Sequence, residues 1–450
     1  MGNPWRAQGA GGRPPNRGPT RPLTRRSFLA GSAAAVGIPA ALARRPTPRT
    51  TSPAPDHAAV TIDAGGLLAA IRTTGSAEAM LRAWPTAHRS AVQESPWYPT
   101  NAAQVVKIPL ATAGTAGGEW SWQCLVRDPF VPDAPPIADI VRTIPARPAA
   151  AVPSSFTFAF GCCTTRNLGR SFVVVRDAQP QFFAMLGDFG YPDRSSGIAP
   201  VAQNYGGYAR AFSDVLRHQR MASILGSMPF FPMLDDHDYG RDNCNRTTIK
   251  PFAGQAFADV MPGGVFPAPN YRSWSVGDAD FFLTDNRRWK DPDLGPYANG
   301  RYMSVLGSAQ RNWLLQSLAA STARVKFVFI PMTMAWYWSR AETSEVRSFI
   351  EDHVSGTVIF LSGDKHAGAF ARYGPRVWEF LAAPLYNSTK HTTPPRSSAV
   401  IWTENGTVNA LSNVVGMVDV DTLVAGACTL RLVREDGVEL HREVVRLPVR

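Results

Sequence analysis

The chain has 450 residues, 44% of them hydrophobic, and only five cysteines, which is enough for more than one domain with a sizeable core and no dependence on disulfides. Its net charge is +11, but six basic residues and no acidic ones precede position 44, leaving +5 on the remainder. That mild balance, without a stripe of Lys and Arg interleaved with aromatics, excludes a nucleic-acid footprint and suits anionic substrates.

The first predicted element is a signal segment. Thr24-Arg25-Arg26-Ser27-Phe28-Leu29 follows a stretch with only basic charges and precedes an apolar run over 28–43 that ends in small residues at Ala41 and Ala43. This pattern predicts export of the folded chain by the twin-arginine (Tat) translocase, a cut after Ala43 and a secreted product, extracellular or periplasmic. A membrane anchor is the competing reading, but Gly31, Gly37 and Pro39 dilute a run already short of the ~20 apolar residues a span needs. No later stretch is long and apolar enough to span a bilayer, so the exported chain is expected to be soluble.

Residues 44–57 are rich in Pro and Thr and read as a flexible tether, with ordered structure expected from about Val60. Short runs over 66–73, 78–84, 103–110 and 119–126, separated by Gly, Pro and Ser clusters, predict a small β-sandwich over 58–150. The Pro-rich stretch 145–153 reads as a linker. From 151 onward the texture changes to α/β: strands over 156–160, 182–186, 230–234, 280–283, 325–330 and 358–361 alternate with helices over 205–225, 343–353 and from a Ser308 N-cap. Strands over 416–420, 429–433 and 438–447, with an Asp436-Gly437 turn, close the chain.

The polar motifs fall at the carboxyl ends of strands, where an α/β sheet collects its ligands. These are Gly161-Cys162-Cys163, Gly187-Asp188 with Tyr191, Asp235-Asp236-His237-Asp238 and Gly363-Asp364-Lys365-His366. Carboxylates of Asp188, Asp236 and Asp364 suit hard cations, and His366 suits borderline ones. A Cys163 thiolate beside a Tyr191 phenolate favours a strongly Lewis-acidic ion, for which Fe3+ fits best, and a neighbouring all-oxygen site would take Ca2+, Mg2+ or Mn2+. Two such cations form the usual clamp for phosphoryl hydrolysis, with His237 contacting phosphate or acting as general acid.

The chain resembles the PhoD-like alkaline phosphatases, relatives of the calcineurin-like metallophosphoesterases. The motifs that carry the resemblance are Phe158-Ala159-Phe160-Gly161-Cys162-Cys163, the stretches 186–191 and 235–240, Asp285-Asn286-Arg287, Gly307 with Gln310 and Trp313, 361–366 and Trp378-Glu379-Phe380. The resemblance implies an N-terminal Ig-like β-sandwich, a catalytic α/β sandwich of two sheets flanked by helices, and an iron and calcium centre held by Cys163, Asp188, Tyr191, Asp236, Asp364 and His366. It implies hydrolysis of phosphomonoesters and diesters by a metal-activated hydroxide. A diesterase acting on phospholipid or teichoic-type polymers, and a non-catalytic surface binding protein, are the alternatives.

Departures from the family pattern are Cys162 for Ser, Arg241-Asp242-Asn243 for Pro-Asn-Asn, and Lys365 for Val. Asn243 and Arg287 are candidate substrate contacts, although an internal ion pair between Asp285 and Arg287 is the favoured reading of that pair. Lys365 either aids phosphate binding or, the favoured reading, points to solvent. Trp336-Tyr337-Trp338 either overhangs the cleft or packs against the helix that follows. The histidines at 57, 88, 218, 353, 391 and 441 have no partner pattern and are read as surface or structural.

Overall fold

A computed structural model describes residues 53–449 except 64–65, 103–104, 112–117, 132, 195–200, 249, 293–302, 388–394 and 405–412. The Tat segment with its cut site, most of the 44–57 tether and His391 lie outside the described residues. Among the described residues no helix is long and apolar enough to cross a membrane.

The first nine strands are β1 (Pro55–Asp63), β2 (Gly66–Thr73), β3 (Ala77–Pro85), β4 (Gln93–Glu94), β5 (Tyr98–Thr100), β6 (Val106–Ala111), β7 (Trp120–Arg127), β8 (Ile137–Ala138) and β9 (Arg142–Ile144). They make two antiparallel sheets: β1-β2-β6, and β3 paired with β7 and flanked by the short strands. Period-two alternation aims Val60, Ile62, Leu67 and Ala69 of one sheet and Leu81, Ala83, Trp122 and Cys124 of the other into a common core. Strand β1 begins five residues before the expected Val60, so Pro55–His57 belong to the sheet rather than the tether, and His57 is buried.

The remaining strands are β10 (Ser155–Gly161), β11 (Phe183–Met185), β12 (Phe230–Pro232), β13 (Arg272–Val276), β14 (Ala279–Leu283), β15 (Val325–Met332), β16 (Thr357–Gly363), β17 (Gly368–Arg372), β18 (Val377–Ala382), β19 (Val400–Thr403), β20 (Val414–Asp421), β21 (Ala427–Arg434) and β22 (Glu439–Arg446). The helices are α1 (Ser171–Ala178), α2 (Tyr205–Arg217), α3 (Gln219–Leu225), α4 (Asp236–Tyr239), α5 (Pro251–Val260), α6 (Ser308–Ala320) and α7 (Arg340–His353). One sheet runs β12-β11-β10-β20-β21-β22 and the other β13-β14-β15-β16-β18-β17-β19. Strands β10, β11 and β12 are mutually parallel, as are β14, β15, β16 and β18.

Alternation within these strands explains the layering. Phe156, Phe158 and Phe160 of β10 and Phe327 and Phe329 of β15 point between the sheets, where Phe158 meets Phe182 at 5.0 Å and Phe327 at 4.9 Å. The intervening Ala159 of β10 packs with Phe172 of α1 and Phe212 of α2, and Val328 and Ile330 of β15 pack with Leu314 of α6 and Ile350 of α7. The central strands therefore bury both faces, and truncating Phe158 to Ala would cost about 3–5 kcal/mol.

The helix starts carry their own signals. Asn204 Oδ1 caps α2 by accepting the Gly207 N–H at 3.0 Å, and Ser339 Oγ caps α7 by accepting the Glu342 N–H at 3.2 Å. The single helix expected over 205–225 is two, because His218 takes extended ψ and its Nδ1 accepts the Arg220 N–H to start α3.

Candidate metal centre

Each polar motif lies just past a parallel strand: Cys162-Cys163 after β10, Asp188 after β11, Asp235-Asp236-His237 after β12, Asp285–Arg287 after β14 and Asp364 to His366 after β16. The turns that follow are tight. Cys163, Asp188, Tyr191, Asn243 and Asp364 hold φ between +47° and +63°, five of the seven described non-glycine residues with positive φ. Left-handed backbone costs an L-residue roughly 1–2 kcal/mol, so it persists only where surrounding structure over-determines it. Gly187 takes φ +97°, and a Cβ there would lie 2.4 Å from the Asp235 Cβ, so the ends of β11 and β12 approach closely only because that side chain is missing.

Three donor groups result, each with its ligand atoms within 4.8 Å of one another: Cys163, Asp188 and His366; Asp188, Asp236 and His237; and Asp188, Asp235, Asp236 and Asp364. Asp188 belongs to all three. Tyr191 joins the first through a 3.0 Å hydrogen bond between its hydroxyl and His366 Nε2. Burial and then the crowding carboxylates push the carboxyls of Asp188 and Asp235 well above their ordinary range, although Arg287 pulls Asp235 back. Burial first, then the neighbouring anions, also raise the Cys163 thiol and the Tyr191 phenol. Asp235 Oδ2 is buried without a hydrogen-bond partner among the described residues. So many anionic donors with so little compensation fit cations, since a bound cation reverses the electrostatic penalty that burial imposes.

The vicinal thiols divide their work. Cys163 belongs to the donor group, whereas Cys162 Sγ accepts the Asp364 N–H at 3.1 Å and sits where a Cβ on Gly363 would be, 2.3 Å away. The two sulfurs are 3.1 Å apart, and all five cysteines are free.

Arg287 is fully buried and pairs across the sandwich with Asp235, with Asp364 at 2.5 Å and with Asp236 at 3.5 Å. The expected Asp285–Arg287 pair does not form: Arg287 is taken by Asp235 and Asp364, and Asp285 pairs instead with Arg288. Arg287 thus braces three carboxylates and is too enclosed to meet substrate.

His237 lies over Tyr191 with ring centroids 4.5 Å apart, and its Nδ1 is 2.8 Å from Asp193 Oδ2. Burial lowers its basicity, but Asp193 and Asp236 outweigh that and hold the imidazolium above the usual histidine range. Asn243 is exposed; its backbone N–H donates to Asp236 Oδ2 at 2.6 Å, and its side-chain amide donates to Asp242 at 2.9 Å at the rim.

Other expectations need correction. Lys365 is buried rather than solvent-directed. Trp336 and Trp338 are buried, the Trp338 indole donating to the Met332 carbonyl at 3.2 Å, so packing wins over an exposed overhang. Tyr337 between them lies close enough to the centre for Asp364, after burial, to push its phenol upward. His218 caps α3, His353 packs on Phe349 and His441 on Trp402, which matches a structural role.

Sequence reasoning did not single out Asp238 or Asp193. Asp238 accepts the backbone N–H groups of Asp188 at 2.6 Å, Phe189 at 2.8 Å and Asp235 at 3.0 Å, tying the ends of β11 and β12 together. Four successive polar residues at 235–238 signal a site, but not which carboxylate faces the cations and which faces the backbone.

A family model described as PhoD-like phosphatase matches residues 158–431, more than half of the chain. No curated protein matches the sequence. Among solved structures, one titled "Structure of PhoD" superposes with a TM-score of 0.69 at 13% identity, covering 88% of this chain and 94% of that one. Purple acid phosphatase PPD1 from yellow lupin (Lupinus luteus) seeds superposes with a TM-score of 0.63 at 10% identity, covering 88% of this chain and 74% of that one. At such identities these two likenesses concern the fold, a mixed α/β architecture of several sheets.

Proposed function

The chain belongs to the PhoD-like phosphatase family of phosphoric ester hydrolases, and from that premise we propose that it is a secreted alkaline phosphatase acting on phosphomonoesters and diesters at a centre of Fe3+ beside Ca2+ (or Mg2+ or Mn2+). The observation that carries the reading is Asp188, shared by three buried donor groups at the ends of parallel strands. Cys163, Tyr191 and His366 with Asp188 suit Fe3+, while Asp188, Asp236 and Asp364 suit the harder ion. When bound, the cations would activate water and absorb charge on the phosphoryl oxygens.

The protein's own groups do the rest. Asp188 and Asp236 each accept the His237 backbone N–H, at 3.3 and 2.9 Å, which fixes that turn against the donor cluster. Asp193 orients the His237 ring through Nδ1 and favours its protonated form, and Nε2, which lies 3.5 Å from the exposed Asp242 carboxylate, is assigned to donate a proton to the leaving oxygen. Arg287 keeps Asp235 and Asp364 in place and offsets part of their charge. Asn243, at the rim, is assigned to a phosphate oxygen. The twin-arginine pattern supports Tat export with cleavage after Ala43, and the two facing antiparallel sheets formed by residues 55–144 support an Ig-like N-terminal domain over 58–150.

The test is turnover of an aryl phosphate monoester and the matching diester by metal-replete protein, with a chelated control and Asp188→Asn. Chelator-sensitive hydrolysis that Asp188→Asn abolishes is expected, and the monoester-to-diester ratio decides which ester class dominates. Full activity after chelation would overturn the reading, and so would full activity in Asp188→Asn.

A further inference from the structure

A cleft of about 1030 Å³ is lined by Arg340, Arg347, Arg372 and Arg396 together with Ser339 and Ser397. No carboxylate lines it, and none of the four guanidinium groups has a carboxylate partner among the described residues. What holds two of them is neutral: Arg347 donates to the Tyr373 carbonyl at 3.4 Å, and Arg372 donates to the Gly374 carbonyl at 3.2 Å while its guanidinium stacks 4.9 Å from the Trp378 ring. Elsewhere the protein pairs its arginines with acids, for example Arg376 with Glu351, Arg431 with Asp419 and Arg442 with Glu439. Four cations converging on one concavity without an anion repel one another, and the stable complement of such an array is a multiply charged oxyanion held by fork-shaped donors.

The cleft is fixed to the metal centre by one buried carboxylate. Glu379 accepts the backbone N–H groups of Met334 at 2.8 Å and Ala335 at 3.2 Å and the Tyr373 hydroxyl at 2.8 Å, all three from residues of the cleft wall. It also accepts the Ser362 hydroxyl at 2.7 Å, two residues before Asp364. Glu379 therefore ties the cleft wall to the strand end that carries Asp364.

Resting on the phosphatase reading, the geometry points to a subsite for a second phosphate group of the same substrate, which makes the preferred substrates molecules bearing at least two phosphates, one cleaved at the metal centre and one held by the arginines. A single-phosphate ester reaches only the first of these.

The probe is a ladder of α,ω-alkanediol bisphosphates of stepwise increasing length, compared with alkanol monophosphates of the same lengths on metal-replete full-length protein. At one window of lengths the bisphosphate should exceed its monophosphate in kcat/KM by about tenfold or more, a margin of the size expected from one or two charge-assisted contacts and one that shrinks as salt is added. In Arg340→Ala/Arg396→Ala the ratio should fall to about one, whereas Arg442→Ala, an exposed arginine on β22 paired to Glu439, should leave the ratio as it is. A ratio near one at every length in the unmodified protein would overturn the subsite while leaving the phosphatase reading intact, and so would an advantage that survives the double replacement. Absence of turnover on both ladders would overturn the phosphatase reading and the subsite with it.

Discussion

Asp238→Asn tests whether the centre is held from behind as the geometry requires. Asp238 Oδ2 accepts two backbone N–H groups, from Asp188 and Asp235, and Oδ1 accepts a third from Phe189, all buried. The amide is nearly isosteric, but it has one acceptor oxygen. With that oxygen facing the pair of donors, the new NH2 meets the Phe189 N–H, donor against donor. Two charge-assisted bonds become ordinary ones at about 1 kcal/mol each, and one stranded donor costs about 1–3 kcal/mol, for a loss of roughly 3–5 kcal/mol. In chelated protein the loss should be smaller, because removing the Asp238 charge relieves its repulsion of Asp188. The assay is urea unfolding of both proteins with and without metal, together with metal content by elemental analysis. An Asp238→Asn protein within about 1 kcal/mol of the parent, fully loaded with metal, would refute the claim that this carboxylate ties β11 to β12.

Cys163→Ser should lose iron, its visible phenolate-to-iron absorption and turnover, while Cys162→Ser, whose sulfur accepts the Asp364 N–H and touches the Cys163 sulfur but belongs to no donor group, should keep most of all three; the reverse pattern would reassign the ligating thiol. Asp193→Asn removes a carboxylate that raises the His237 pKa, so the imidazolium should deprotonate at lower pH and the alkaline limb of the kcat/KM profile should move down; an unmoved limb would remove His237 from the acid role. Chelated protein should lose stability as pH rises from about 4 to about 7, because Asp364 is pushed up to about 6 and Asp238 to about 7. The native state then binds more protons than the unfolded chain in that window, whereas loaded protein, its ligands already deprotonated, should give a flatter urea midpoint against pH.

Much of this was legible in the chain. Runs such as Phe158-Ala159-Phe160 and Val325 to Ile330 declare buried parallel strands, and a Gly-Asp or Cys-Cys at their ends places chemistry where strands converge. Strands β17, β18 and β19 were less visible, because Glu379 interrupts the apolar pattern of β18; its carboxyl group is accommodated by donors from Thr333, Met334, Ala335 and Ser362, which lie on other strands and turns, and from Tyr373. The partner of Arg287 was hidden for a similar reason. Spacing identifies neighbours along a strand, whereas Asp235 and Asp364 reach it from two different sheets. The break at His218 has no Gly or Pro to announce it, and Lys365 is buried by tertiary contacts that its own segment does not encode.

The left-handed backbone at Cys163, Asp188, Tyr191, Asn243 and Asp364 also dictates how these positions tolerate change. In a saturation library scored separately for folded yield and for turnover, most replacements there lose twice, once through the side chain and once because a bulkier or β-branched residue disfavours positive φ. Glycine separates the two effects: it removes the side chain but releases roughly 1–2 kcal/mol of conformational strain, partly offset by the greater entropy of the unfolded glycine chain. Clones with glycine at these five codons should therefore rank among the best-expressed variants and the least active.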